Sequence, residues 1–423
     1  MKYIQIEGGR PLNGELAVQG SKNAVLPIMA AALLTTQPVT LYGCPQIEDV
    51  RVMCQLLSYM GVEVMQKDDV IRIQARQIRT TELPAELVNQ MRSSIMLMGP
   101  LLSRTGKAKM CFPGGCCIGS RPIDLHLSGL RQLGYDIAEE NEEVTGVCSE
   151  KLKEETRRIH LRFPSVGATE NIVMGAVMAP GETVLIGAAK EPEVRELLLV
   201  LCRMGARIEG IGTEKLTIWG QRRLFGIQKR IMPDRIVSGT YLLAAAVTGG
   251  KIRLHHVDSV DNLALLEALY QMGCRIEYSD RQQWIELTAP RRLKPISIAT
   301  APHPGFPTDL QAMMMVAMSQ AEGISHIQET IFENRFRHVE ALRRMGARIQ
   351  TKNNLAAIHG KSILKGQKMW ATDLRAGAAM VLAGLCAEGD SRIGRVEHIE
   401  RGYEDIVKDL CSLGACAYWE HVE

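Results

Sequence analysis

Positively charged side chains recur in this 423-residue sequence at places where an isolated helix would disfavour them. Lys22 lies between Ser21 and Asn23 at the head of an apolar run, Arg92 precedes Ser93-Ser94, Arg235 follows Asp234, and Arg375 ends Thr372-Asp373-Leu374-Arg375. Ser165 to Asn171 and Thr308-Asp309 occupy equivalent places. Ser, Thr, Asp and Asn there can serve as ordinary caps, the role given to Ser93 and Ser238 and an alternative role for Asp309. Lysine and arginine beside the positive end of a helix are unfavourable unless an anion uses both. Several such ends facing one cleft would make an anion pocket. A second candidate is the loop Pro113 to Pro122, with Gly114, Gly115 and Gly119 around Cys116-Cys117. It is either a shaped functional segment or a structural turn. A thiol near Arg121 would be more acidic than an isolated one, and so an acid or a nucleophile.

The elements that must position these groups come from a repeat. Tyr59-Met60-Gly61-Val62 recurs as Gln132-Leu133-Gly134-Tyr135, Arg203-Met204-Gly205-Ala206, Gln271-Met272-Gly273-Cys274, Arg344-Met345-Gly346-Ala347 and Ser412-Leu413-Gly414-Ala415. The glycines are spaced by 73, 71, 68, 73 and 68 residues, so a unit of roughly 70 residues is used six times. Each glycine follows an amphipathic helix and precedes an alternating run such as Ala206 to Ile211, the pattern of a left-handed helix end leading into a strand. An earlier helix in each unit is apolar nearly all round, for example at Met174 to Met178, Leu242 to Val247, Met313 to Met318 and Ala376 to Leu385, and such helices are buried. Three units make a domain of the expected size, so two domains of three units follow.

Composition excludes other classes. With 50 basic and 47 acidic residues the net charge is +3, too small to make nucleic acid or an anionic membrane the main partner. Eleven cysteines without a C-x-x-C pair, and no signal-like opening, fit reduced thiols in a cytoplasmic protein. The run from Ala24 to Leu34 contains Pro27 and is too short to cross a bilayer. Gly106-Lys107 lacks the phosphate-loop spacing, so ATP and dinucleotide cofactors are disfavoured. His255-His256 are neighbours that would point to opposite faces of a strand, and no metal is expected.

Seven segments together resemble the UDP-N-acetylglucosamine 1-carboxyvinyltransferase family. They are Gln19 to Ala24, the Cys116 loop through Arg121 to His126, Ser165 to Thr169, Thr300 to Asp309, Phe332 to Arg335, Ala371 to Arg375 and Arg401 to Glu404. The sibling 5-enolpyruvylshikimate-3-phosphate synthases share the six-unit design but match less well at the cysteine loop and at Pro302-His303-Pro304. The resemblance implies an α/β (α+β) fold: a two-domain inside-out α/β barrel of six βαβαββ units. It implies a discontinuous domain of 1–21 plus 233–423 carrying Asp309, Arg335, Arg375 and Arg401, and a domain of 22–232 carrying the Cys116 lid and the sugar-nucleotide contacts.

It also implies transfer of the enolpyruvyl group of phosphoenolpyruvate to the 3-hydroxyl of the sugar, the committed step toward peptidoglycan. No cofactor is required, and a cytoplasmic monomer that binds no nucleic acid or membrane is expected. Planar oxyanions favour arginine. By resemblance Lys22, Arg121 and Arg401 embrace the phosphate, Arg335 and Arg375 hold the carboxylate, and Arg92 guards the diphosphate side. Asp309 contacts and deprotonates the hydroxyl, and Cys116 acts in proton delivery or product release. Asn23 and Ile331 contact substrate; Arg121, Pro122, Ile123, Asp124 and Leu125 hold the uracil; Ser165, Val166 and Gly167 hold the diphosphate. Fosfomycin, an epoxide phosphonate, should alkylate Cys116. The domains should close when the sugar nucleotide binds.

Two positions depart from the pattern: Phe163-Pro164 where some members carry a lysine, and Val237 where a glutamate is common. The competing readings are the shikimate-pathway synthase, a non-catalytic sugar-nucleotide sensor, and a nucleic-acid end-processing enzyme.

Overall fold

The computed structural model describes residues 1–114, 123–149 and 155–422. Cys116, Arg121 and Pro122 therefore lie outside the described residues. The chain divides into two compact units, one comprising Met1–Gln19 and Pro233–Glu423, the other drawn from residues 20–232. Each unit has a hydrophobic core of its own and three sheets.

The repeat is plainest at Arg157–His160. This strand runs into the helix Val166–Ala176, then a parallel strand Glu182–Ile186, a second helix Pro192–Arg203, and the pair Arg207–Glu209 and Lys215–Trp219. The last strand inserts between the third and the second, giving the βαβαββ order. Gly61, Gly134, Gly205, Gly273, Gly346 and Gly414, which follow the second helix of each unit, have φ between 82° and 110°. That left-handed conformation strains any residue with a Cβ, which explains why the phrase recurs.

The first helix of each repeat is buried. Every residue of Gln311–Gln320 is buried, as are Ile236 to Val247 in Arg235–Thr248 and Arg375 to Leu385 in Leu374–Cys386. These three helices pack on one another, and strands such as Leu355–His359 and Asp390–Gly394 pack around them. Ile324–Gln328 alternates exposed and buried residues, and Leu355–His359 follows the same two-residue period, as a sheet with one wet face must. Sheets outside and helices inside reverse the usual order of layers, so the helices rather than the strands carry the continuous apolar runs.

Three sheets are completed out of sequence order. Lys2–Glu7 lies between Asp390–Gly394 and Cys416–His421, antiparallel to both, with Ile4 opposite Ile393 and Trp419. Asn13–Ala17 runs parallel to Lys251–His255. Gln228–Arg230 runs parallel to Val39–Tyr42. The chain thus passes between units twice, around residues 19 and 232. In the second repeat the opening strand is reduced to a bridge between Glu82 and Lys109.

Two local expectations need correction. The strand Lys251–His255 ends at His255, whose Nε2 lies 2.8 Å from Glu15; His256 has φ 57° and has left the ladder. Ser238 is no cap: Asp234 caps its helix, and the Ser238 hydroxyl bonds the Arg235 carbonyl and Asn262 Oδ1, each at 3.0 Å. Ser93 lies inside the 3-10 turn Arg92–Leu97, which has no side-chain cap.

Close helix contact in the 20–232 unit depends on Gly99. Its N–H donates to Asn171 Oδ1 at 2.6 Å, and a Cβ there would lie 2.1 Å from the Asn171 carbonyl oxygen. Backbone cannot yield as a flexible side chain can, so Gly99→Ala should destabilise the protein by about 2–3 kcal/mol, measured by urea unfolding.

Candidate active site

In the unit formed by residues 1–19 and 233–422, three elements bring an acid and two arginines together. Asp373 caps the helix Leu374–Cys386 by accepting the N–H groups of Arg375 at 3.0 Å and Ala376 at 3.1 Å. This fixes the first turn, from which Arg375 Nε reaches Asp309 Oδ1 at 3.0 Å. Arg335 Nη2 lies 3.3 Å from the same oxygen and 3.3 Å from the Thr308 carbonyl. Asp309 occupies a one-turn helix, Thr308–Leu310, and its carboxylate is committed to the arginines; the capping alternative is not what the structure shows.

Both guanidiniums are buried, Arg335 to 5% and Arg375 to 7% exposure, whereas the Asp309 side chain keeps 30%. Charge so deep is costly unless paired. For Arg375, burial works against the charge, but Asp309, Tyr403 and Asp234 outweigh it and hold the group protonated above its ordinary range. Arg335 Nε has no hydrogen-bond partner among the described residues, so a donor is left over in a buried place.

Further groups hold this arrangement. Glu329, 2% exposed, accepts the Ile331 and Phe332 N–H groups at 2.8 and 3.1 Å and the Thr308 hydroxyl at 2.9 Å. It ties the turn containing Ile331 to the turn containing Asp309. Thr240 donates to the Ile236 carbonyl at 2.8 Å, so its oxygen receives the Tyr403 O–H, also at 2.8 Å. Tyr403, 1% exposed, thereby keeps its oxygen lone pairs available to Arg375, whose charge acts on it electrostatically.

His338 lies beneath Arg335, its Nδ1 3.2 Å from the Arg335 carbonyl, at 1% exposure. Burial is the main cause that pushes its pKa down to about 4. The unfolded chain, with an ordinary histidine, binds the extra proton more readily. The stabilisation is therefore present above the ordinary histidine pKa and is lost as pH falls toward the folded value. From about pH 7 to about pH 5 this group should remove about 2 kcal/mol from the unfolding free energy. Urea unfolding at both pH values, with His338→Met abolishing that part of the slope, checks it.

In the 20–232 unit, Ser21 caps the helix Lys22–Ala31 through the Ala24 N–H at 3.3 Å. Lys22 Nζ then meets Asp49 Oδ2 at 3.0 Å, and Asp49 is 2% exposed. The lysine thus has a buried counter-ion that the sequence did not announce. Asn23, next to it, is half-buried. Ser165 caps the helix Val166–Ala176 through Ala168, setting Val166 and Gly167 in its first turn. Ile123 and Asp124 begin the helix Asp124–Leu133 with Leu125, and Asp124 is paired with Arg162. A cation therefore stands beside exposed Phe163, though engaged by a carboxylate.

His126 connects these two helix starts. Asn171 Oδ1 accepts from Gly99, so its Nδ2 donates to the Ile95 carbonyl at 3.0 Å and toward His126 Nδ1 at 3.1 Å. The ring proton of His126 belongs on Nε2, which a Cβ on Gly167 would approach within 3.3 Å. Burial, then Arg92, push His126 down to about 3. Arg92 itself reaches the Pro113 carbonyl at 3.4 Å, and burial lowers its pKa. His126 and Glu329 were not singled out from sequence. His126 stands within the Arg121 to His126 segment, but nothing local to Glu329 marks it.

Residues 6–410 match the model of the EPSP synthase (3-phosphoshikimate 1-carboxyvinyltransferase) family. A UDP-N-acetylglucosamine 1-carboxyvinyltransferase of Finegoldia magna is 43% identical over 98% of both chains, and one of Granulibacter bethesdensis is 46% identical over 98% of both. Among solved structures, the enolpyruvyl transferase NikO of Streptomyces tendae superposes with TM-score 0.88 at 24% identity, covering 99% of this chain and 98% of that one. EPSP synthase of Acinetobacter baumannii superposes with TM-score 0.76 at 19% identity over 100% of both chains. The chain belongs to the EPSP synthase family and, within it, stands with the UDP-N-acetylglucosamine 1-carboxyvinyltransferases.

Proposed function

We propose that this protein transfers the enolpyruvyl group of phosphoenolpyruvate to the 3-hydroxyl of the N-acetylglucosamine moiety of UDP-N-acetylglucosamine, releasing phosphate. The observation that carries this conclusion is the identity of 43–46% over 98% of the chain with relatives of that name. In a cell with a wall the product enters peptidoglycan synthesis. No helix among the described residues is long and apolar enough to cross a membrane, and we place the enzyme in the cytoplasm as a monomer.

The residue roles follow from the chemistry. Arg335 and Arg375 receive the carboxylate of phosphoenolpyruvate, for which planar guanidiniums are suited. The spare Nε donor of Arg335 supports this role. Lys22, Arg121 and Arg401 take the phosphate, and Arg92 lies toward the diphosphate. The first turn from Ser165 to Gly167 receives the diphosphate, Arg121 to Leu125 receive the uracil, and Asn23 and Ile331 line the sugar. The 3-hydroxyl oxygen bonds to C2 as its proton passes to Asp309 and a proton is added at C3. The tetrahedral adduct then loses a C3 proton and phosphate, restoring the double bond. Cys116, outside the described residues, serves in proton delivery or product release.

Without substrate, Asp309 shares its Oδ1 with both arginines. Positive charge held at that distance stabilises the carboxylate and weakens it as a base. An incoming substrate carboxylate competes for the same guanidiniums and so releases Asp309 to act as base. Base strength therefore rises only when phosphoenolpyruvate is in place.

Phosphate release from phosphoenolpyruvate, assayed with UDP-N-acetylglucosamine beside shikimate 3-phosphate, tests the assignment. Release with the sugar nucleotide alone is expected. Release with shikimate 3-phosphate alone would assign the sibling activity, and binding of the sugar nucleotide without turnover would indicate a sensor.

A further inference from the structure

Gln19 is the last residue of the N-terminal limb before the chain enters the 20–232 unit. Its side-chain amide lies against the backbone of residues 402–404. Nε2 donates to the Gly402 carbonyl at 3.1 Å, and Oε1 accepts the Glu404 N–H at 3.0 Å. Both partners are backbone groups of fixed polarity, so the amide can bind in only one orientation. These two bonds bracket Tyr403 and begin one residue beyond Arg401. Gln19 also accepts the Asp234 N–H on its own carbonyl at 2.9 Å, and Asp234 caps the helix Arg235–Thr248. Thr240 of that helix holds the Tyr403 hydroxyl, and Tyr403 and Arg375 act on each other electrostatically.

The segment needs such support. Between the one-turn helix Val396–His398 and the helix Ile406–Ser412 it belongs to no strand. Its own backbone bonds run from Gly402 and Tyr403 back to Ile399, at 3.0 and 3.1 Å. Those bonds set the local turn within residues 399–403, and the Gln19 amide adds a donor and an acceptor on either side of Tyr403. A glutamine here imitates a neighbouring strand, supplying one donor and one acceptor at the spacing of a peptide ladder.

We propose that Gln19 is a positioning residue: its amide clamp sets the place of Arg401 directly and, through Tyr403, the orientation of Arg375. The inference rests on the assignment of these arginines to the phosphate and carboxylate of phosphoenolpyruvate. It predicts a selective effect, because no described contact of the Gln19 side chain reaches the residues assigned to the uridine diphosphate.

Gln19→Met, of similar length but without hydrogen-bonding groups, and Gln19→Glu, which keeps the acceptor for Glu404, provide the test. For Gln19→Met, KM for phosphoenolpyruvate and the inhibition constant for inorganic phosphate should both rise about tenfold, as expected for two lost hydrogen bonds. The dissociation constant for UDP-N-acetylglucosamine alone, by calorimetry, should stay within about twofold. Gln19→Glu should lie between Gln19→Met and wild type. Unchanged values for phosphoenolpyruvate and phosphate would overturn the inference. So would equal weakening of both substrates with a fall in melting temperature, which is the mark of a general folding role. A wild-type enzyme that releases no phosphate with the sugar nucleotide would remove the functional assignment, and this inference with it. Wild-type turnover with an unaffected Gln19→Met variant would sink the inference alone.

Discussion

Asp309→Asn should lower kcat about 10³-fold, within the range for loss of a positioned general base, while KM for phosphoenolpyruvate stays level or falls. The two halves of this expectation have different origins. Asparagine has nearly the shape of aspartate but cannot take the hydroxyl proton, so the chemical step suffers. It also carries no charge, so it competes more weakly for Arg335 and Arg375, which in the free enzyme lie 3.3 and 3.0 Å from Asp309 Oδ1. The substrate carboxylate then meets less opposition. Were Asp309 only a structural counter-ion, the substitution would lower stability, because two buried guanidiniums lose a charged partner, while kcat would change little. Steady-state kinetics beside a melting curve separates the outcomes. A fall in kcat of less than tenfold would remove Asp309 from the base role.

Arg375→Lys should have the next largest effect, lowering kcat/KM for phosphoenolpyruvate by about 10²–10³-fold, as expected when one partner of a buried charged pair is compromised. The substitution keeps the charge but loses the planar fork, and here the fork matters. Nε serves Asp309 at 3.0 Å from a buried position, and an ammonium on a flexible stem cannot keep that direction and face a substrate carboxylate as well. Affinity for UDP-N-acetylglucosamine alone should be preserved. Initial rates at varied phosphoenolpyruvate and calorimetry with the sugar nucleotide decide it; a variant within threefold or so of wild type would show that charge, not geometry, is what the site needs.

The repeat was legible because its signal is local. A glycine with positive φ after an amphipathic helix is required by backbone sterics, and all six occur where the phrase recurs. The buried helices were legible for the same reason, since an all-round apolar segment has no other place. What periodicity does not carry is connectivity. Nothing in Asn13–Ala17 announces that it pairs with Lys251–His255, more than 230 residues away, and it took the resemblance to suggest that the first strand returns.

The site divides in the same way. The residues near helix starts could be found, because a cation or acid there is a local anomaly. The residues that hold them could not, because they act across the chain. Asp49 balances Lys22 across 27 residues, Glu329 ties Thr308 across 21, and Gln19 reaches Gly402 across 383. Capping rules also misled at Ser238, since Asp234 stands nearer the helix end and its carboxylate takes both the Ile236 and Val237 N–H groups. The serine then turned to Asn262.

The most direct test of the central claim follows carbon rather than phosphate. Incubating the protein with phosphoenolpyruvate labelled at C3 and unlabelled UDP-N-acetylglucosamine should yield a labelled UDP-sugar enol ether, with label and phosphate appearing in equal amounts and Asp309→Asn producing neither at a comparable rate. Phosphate released without label entering the sugar nucleotide would mean hydrolysis rather than transfer, and would contradict the account.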